Sequence, residues 1–568
     1  MKTFTGFWKA LCFTAFAATA LAQAPPPPTT SPRPLPAPEK PEVSVTVSAR
    51  PSQRQEKSLP PAAEEGVAIS LRDAIELALA NNVDLRVAVA GEEQGRFGVL
   101  QAKGIYDPLV AAFGQVNDRQ TPNATQLAGG TVTTSRVTDG NVSVSQLIPF
   151  GGTVSLGLNN EKLNTNSSFY NINPSYNVSD FLSLKQPLLR NFGVLATNRF
   201  ILIAKYGRGI DDQSFLQSVQ STVTSVEQAY WDLVYARENL KVKVESRDLA
   251  VELNRITKIK IDVGSQAPID IVQTESGVAA RELDIITARA AVGDAEDRLK
   301  RLLNFAAANR WNDHVVPTDE VRVEPVKIDL EAGVAEALDN RPEVRSAKFT
   351  AATAKVNYDF SRNQLWPQLD LNASYGYAGL GGPNHLTDPA TGLPTGVVVP
   401  GGYSDAFTQV THRDFHNWLV GLNFSFPILN RAARGAKGFA LWGLQSSLAT
   451  LEQLEQNVTV GVRTAARAIE TARQSIEAAG KARELAERNV DAEKKKYDNG
   501  LVTSFEVLSV QNDLATARSA ELQALTQYRN AIVAYHQAIG DLLGWKDIKI
   551  EGLSGDAVPS VEGWKTTN

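Results

Sequence analysis

The chain has one cysteine and one methionine, Cys12 and Met1, both close to its N-terminus. A mature chain cut downstream of them has neither disulfides nor thiolate chemistry. Beyond the N-terminus no apolar run reaches the ~18 residues that a membrane-crossing helix needs. That excludes a helical span and leaves open a β-barrel, whose signal per strand is much weaker. Excess positive charge is missing too. The formal net charge is -5, which argues against nucleic acid as a main partner. There is no phosphate-binding loop, zinc-protease helix or nucleophile elbow. His412 and His416, with Asp414, stand at a loop-to-strand junction without the further ligands a metal needs. No catalytic residue, metal or cofactor is expected, and the chain does not read as an enzyme.

Lys2 and Lys9, the apolar run to Leu21 and Ala22-Gln23-Ala24 read as a secretory signal over residues 1–24. Residues 25–66 are Pro-rich and read as a disordered or polyproline spacer. The rest is organised around residues 454–540. Ile476, Ala479, Ala486 and Val490 keep helical apolar spacing, and Leu525, Tyr528, Ile532, Tyr535 and Ile539 step by three and four. Between them, Gly500 is placed to end one helix in a left-handed conformation. Thr503-x-x-Glu506 reads as a capping box that starts the next. The stretch is a long antiparallel helical hairpin with a tight tip. A second copy of the tip surrounds Gly264, where Lys260, Asp262, Gly264, Asp270 and Ile271-Val272 match Lys496, Asp498, Gly500, Glu506 and Val507-Leu508.

The duplication extends upstream. The capped helix Ser70 to Asn82 is repeated at Asp329 to Asn340, and the copies stay in ungapped register to Pro108 and Pro367. After each proline the period changes to two. Leu369, Leu371, Ala373, Tyr375 and Tyr377 alternate with polar or small residues, as do Trp418, Val420, Leu422 and Phe424. This suits a strand with lipid on one side and water on the other; a soluble sandwich with one wet face fits the pattern equally well. The first repeat has strand-like stretches at Leu109–Val116, Asn141–Ile148, Thr153–Leu158 and Tyr176–Lys185, one hairpin more than the second, so the strand number is left open. Segments 118–136 and 379–414 read as long loops. Six segments result: signal 1–24, spacer 25–66, first repeat 67–304, connection 305–326, second repeat 327–543 and tail 544–568. At ~1.5 Å per residue, the helix from about Asn198 to Lys260 spans roughly 95 Å. The two shorter helices of its repeat, stacked end to end, nearly match it, which fits tall parallel rods.

These features resemble the TolC-like outer-membrane efflux proteins over about residues 67–543. The likeness rests on Leu71…Ala78-Leu79…Asn81 and its copy, and on Pro187-Leu188-Leu189 and Pro427-Ile428-Leu429. Ala229-Tyr230-Trp231-Asp232-Leu233 and Tyr497-x-x-Gly500 complete it. The resemblance implies an α+β, mainly α fold: duplicated helical hairpins forming a periplasmic α-barrel, with strands contributing to a trimeric transmembrane β-barrel. It implies a homotrimer in outer-membrane lipid, coupled through a periplasmic adaptor to an inner-membrane pump. Such a duct passively exports small molecules or polypeptide in a tripartite efflux or type I secretion system. The rival expectation is a periplasmic or surface coiled-coil scaffold without a channel. By the resemblance, Asp270 and Glu506 correspond to a gate ring of acids; as helix-terminal acids they would equally stabilise helix N-termini. Gly264, Tyr497, Gly500 and Leu501 correspond to adaptor-contact tips, and Trp418, Val420, Leu422 and Phe424 to a lipid-facing strand. Where the family places a second acid, this chain has Gln273 and Ser509.

Overall fold

The structure, a computed structural model, describes residues 45–48, 57–59 and 66–564, apart from 125–129, 168, 321–322, 324–325, 388–393 and 562. The chain divides into Met1–Val43 and Ser44–Asn568, and the description concerns the second unit. The expected signal segment and the start of the Pro-rich stretch lie outside the described residues.

The Pro-rich stretch also contains a strand. β1, Val45–Ser48, pairs in parallel with a C-terminal strand, Ile548–Glu551. The strand falls in the stretch expected to be a disordered or polyproline spacer: Val43, Val45 and Val47 alternate with polar residues, a period-two signal within a proline-dominated composition. After β2, Val67–Ile69, come helices α1, Leu71–Asn81, and α2, Val83–Lys103. The Ser70 hydroxyl accepts from the Asp73 N–H, and Asn82 caps α2 in the same way through the Leu85 N–H.

Four strands follow: β3, Leu109–Pro122; β4, Val132–Leu147; β5, Thr153–Thr165; and β6, Ser175–Pro187. The chain then enters the 69-residue α3, Val194–Asp262, turns, and returns as α4, Ile269–Leu303. The second half opens with the short strand β7, Val315–Pro317, which pairs with β2. It repeats the pattern with α5, Leu330–Asn340, and α6, Pro342–Asn363. Next come β8, Gln368–Gly381, a small hairpin of β9, Asn384–Thr387, with β10, Pro394–Val399, then α7, Tyr403–His412, and β11, Phe415–Ser425. The 68-residue α8, Arg431–Asp498, turns into α9, Ser504–Ile539, and the chain closes with α10, Leu542–Trp545, and β12, Ile548–Glu551.

Six strands form one antiparallel sheet in the order β11-β8-β6-β5-β4-β3. The hairpin expected as an addition to the first repeat is therefore part of the sheet. Two expected loops are shorter than read. β3 and β4 run on through Asp118↔Arg136 to Pro122↔Val132, where both faces are polar and hydropathy gives no alternation. Segment 379–414 holds the end of β8, the β9–β10 hairpin and α7. Gly379 is needed for α7 to lie close: a Cβ there would come within 2.0 Å of the Ala406 carbonyl oxygen.

The largest core lies where both repeats meet the middle of α3. Leu77, Leu85, Phe215, Val226, Tyr230, Leu233, Leu299 and Phe305 are buried there together. The Tyr230 hydroxyl donates to Asp319 Oδ2 at 2.6 Å and accepts from the N–H groups of Thr318 and Asp319. Burial and the neighbouring Asp319 push its ionisation far up. It is a neutral crosslink between α3 and the connection after β7.

Candidate functional site: sheet faces and paired helical tips

The register makes the two sheet faces chemically distinct. Trp418, Tyr375, Leu182, Leu156, Val144 and Val110 are successive cross-strand partners, so one apolar row crosses all six strands. The next row on that face runs Val420, Ala373, Leu184, Val154. One residue along, on the opposite face, the row is Leu419, Ser374, Ser183, Ser155, Ser145. Trp418, Val420, Leu422 and Phe424 share the apolar face and are 64–66 % exposed. Among the described residues no second sheet covers it. Only α7 packs on that side, with Ala406 and Val410 against Val178, at the far end of the strands. A soluble sandwich within the chain would bury this face; among the described residues it is exposed.

The sheet is open, with β3 and β11 as its edges. The helices next to each edge also carry bare apolar side chains: Phe97 and Leu100 on α2, which leads into β3, and Phe439 and Trp442 on α8, which follows β11. Unpaired edges and apolar patches therefore occur at both flanks of one chain.

At the opposite end of the long helices, the two tips are pinned together. Gly264 and Gly500 take φ of +77° and +73°, the left-handed conformation that ends α3 and α8. Both glycines and Leu501 are exposed. Tyr497 is not: expected among the adaptor contacts, it is 1 % exposed, and its ring is turned into the tip core with Ala250, Leu253, Val507 and Leu508. Its hydroxyl lies 2.7 Å from Thr257 Oγ1 and 2.8 Å from Gln266 Oε1. Lys260 Nζ stands 3.9 Å from the ring centroid and donates to the Tyr497 carbonyl at 2.6 Å. The position matching Tyr497 in the first tip is Ile261, so one tip supplies the pin and the other its socket. Thr257 and Gln266 escaped notice in the sequence because their partner is more than 200 residues away. Lys260 was visible only as a matched repeat position.

Glu506 forms the capping box expected of it: the Thr503 N–H and hydroxyl donate to Oε2 at 2.5 and 2.6 Å. The hydroxyl, then the N–H, then the charge of Lys496 hold its carboxyl below the usual carboxylate range. Asp270 lies in the first turn of α4, its N–H donating to the Ala267 carbonyl. Between α4 and α9 runs an open groove of about 550 Å³ lined by Ile269, Val272, Gln273, Gly277, Phe505 and Leu508. Ile269, Val272 and Phe505 are exposed there, leaving an apolar strip beside the tips.

Long paired helices, pinned at one end and joined at the other to a sheet with one bare apolar face, define the class: a channel protein of the outer-membrane type. The profile of the family described as outer membrane efflux protein matches residues 74–304 and 333–541, and the chain belongs to that family. Relatives by sequence are distant. Nodulation protein T of Rhizobium leguminosarum bv. trifolii is 20% identical over 342 residues, covering 58% of this chain and 65% of that protein, so the chain spans just under two thirds of that relative. Toxin and drug export protein A of Aggregatibacter actinomycetemcomitans is 20% identical over 449 residues, 77% of this chain and 88% of that one. Among solved structures, the Campylobacter jejuni CmeC outer membrane channel superposes with a TM-score of 0.60 at 17% identity, over 83% of this chain and 86% of that chain. The Vibrio cholerae outer membrane protein VceC gives 0.57 at 14%, over 83% and 96%. At these identities the likeness establishes the fold.

Proposed function

We propose that three copies of this chain close into one passive exit duct, a β-barrel in the outer membrane continued by a helical barrel in the periplasm. One observation carries the reading: an exposed apolar sheet face bounded by two open edges. A sheet edge in lipid leaves backbone groups without partners at a cost of several kcal/mol each, so the sheet must close on other copies. The edge β3 and the edge β11 differ, and so do the apolar patches on α2 and α8. A heterologous contact of that kind repeats around a ring. Trp418, Val420, Leu422 and Phe424 then face lipid, and the serine row faces water.

At the other end, Gly264, Gly500, Leu501 and the apolar strip along Ile269, Val272 and Phe505 offer a periplasmic adaptor its contact. An inner-membrane pump coupled through that adaptor supplies the energy. Asp270 and Glu506 place carboxylates at the mouth, three of each in a trimer, alongside the cap that Glu506 forms. The cargo is small molecules or polypeptide; the name of one relative joins toxin with drug export.

The test is the native mass of the mature protein extracted in detergent. A particle of three chains with full β-signal is expected. A monodisperse monomer that keeps its β-signal in lipid would refute closure between copies.

A further inference from the structure

The two repeats differ in how their strands neighbour one another. In the second, the strand that follows α6 and the strand that precedes α8 are direct neighbours, β8 with β11. In the first, the corresponding strands, β3 and β6, are separated by β4 and β5. That hairpin is built as wall. β4 pairs with β3 from Val132 to Ser145, and β5 pairs with β6 from Thr153 to Leu163. Two rows also pass through it: Val144 and Leu156 continue the apolar row, and Ser145 and Ser155 the serine row. An extracellular flap would have no reason to keep lipid-type and water-type faces in register with its neighbours. Because a hairpin adds two strands, β3 stays antiparallel to β6 and the ring can close as before.

We infer that the hairpin β4–β5 enlarges the outer-membrane pore, each copy giving six strands and three copies eighteen. The inference rests on the trimeric duct proposed above. Without the hairpin three copies would close twelve strands. Barrel diameter grows roughly linearly with strand number, so eighteen strands give about one and a half times that diameter. Barrels of sixteen to eighteen strands leave an aqueous channel, whereas small ones are filled by side chains. One inward row suits the open case, because Ser145, Ser155, Ser183 and Ser374 are too small to fill a wide lumen; Phe113 and Phe181 share that face in other rows. The exit at the cell surface is then no longer a sieve. Selection falls to the helical tips, and the cargo class the wall admits extends to solutes with the girth of a hydrated polymer or a partly folded polypeptide.

Imaging of the full mature protein in lipid nanodiscs counts chains and strands together. A second measurement uses a variant in which residues 123–174 are replaced by Asn-Gly, joining β3 directly to β6. Poly(ethylene glycol)s of graded size, added on the outer side of single channels in a planar bilayer, report the largest polymer that enters. Three chains and eighteen strands, with a cut-off radius smaller by about a third or more in the variant, is the expected result. Three chains around twelve strands, with the hairpin outside the wall, overturns the wide pore and leaves the duct standing. So does an unchanged cut-off in a trimeric variant. A native protein that forms no closed ring overturns the duct and the wide pore with it.

Discussion

Replacing Tyr497 with phenylalanine isolates the hydroxyl of the tip pin. Thr257 Oγ1 lies 2.8 Å from the Leu253 carbonyl, 2.7 Å from the Tyr497 hydroxyl, and that hydroxyl lies 2.8 Å from Gln266 Oε1. Two hydroxyl protons serve these three contacts, so at most two are hydrogen bonds at one time. In Tyr497→Phe the Thr257 proton keeps its bond to Leu253, and half-buried Gln266 turns to water. The net loss is one bond, about 1 kcal/mol, or roughly a fivefold rise in the open population of the tips. Tyr497→Ala also empties the tip core and removes the ring under Lys260. That should cost about 3–5 kcal/mol and raise opening by more than a hundredfold. Hydrogen exchange by mass spectrometry reads both: the ends of α3 and α8 should lose protection in that graded order, while the core around Tyr230 keeps its rates. Equal protection in wild type and Tyr497→Phe would refute the pin. Loss of protection spread evenly over the chain would show that Tyr497 supports the whole fold and has no special hold on the tips.

Three further outcomes are expected. Leu422→Arg should destabilise the folded protein in vesicles by about 2–4 kcal/mol if Leu422 lies near mid-membrane, and Asn423→Arg by far less; urea titration of tryptophan fluorescence compares them, and equal costs would mean the alternation is misread. Asp270→Asn combined with Glu506→Gln should reduce cation selectivity and block by multivalent cations in planar bilayers, most clearly at low salt where screening is weakest, with the oligomer unchanged; a channel that conducts as before but melts earlier assigns the acids to capping alone. Because the Glu506 pKa is lowered by folding, its cap contributes above the unfolded carboxylate value, about 4.3, and is lost as pH falls through the lower folded value; exchange protection at the start of α9 should drop with acid in wild type and lose that pH dependence in Glu506→Gln.

Local rules carried the helical half of the fold a long way. Ser70 before α1, Thr503 with Glu506 at the start of α9, and Gly264 and Gly500 after the long helices each act within one turn, so sequence neighbours suffice to reveal them. The strands were legible where one face is apolar, as in Trp418 to Phe424. They were not where Asp118 pairs Arg136 and Thr121 pairs Thr133, since two wet faces leave no period to read. α7 was lost among glycines and prolines, although Ala406 and Val410 sit four residues apart on its buried side. For the site, the acids and glycines stood out because the tips are duplicated. The burial of Tyr497 did not: its neighbours belong to α3 and α9, and a single helix pattern cannot show which of its faces another helix will cover.

The pairing of β1 with β12 has a consequence for how the molecule is made. Synthesis and export deliver Val45–Ser48 first and Ile548–Glu551 nearly last, so the earliest strand of the folded unit waits for one of the latest. Ile548 belongs to the same buried cluster as Tyr230, and Lys546, just before it, pairs with buried Glu227 at 2.7 Å. A chain that stops short of residue 548 can form its hairpins yet has nowhere to lay its first strand. The packing around the middle of α3 is thereby completed only once β12 has been made.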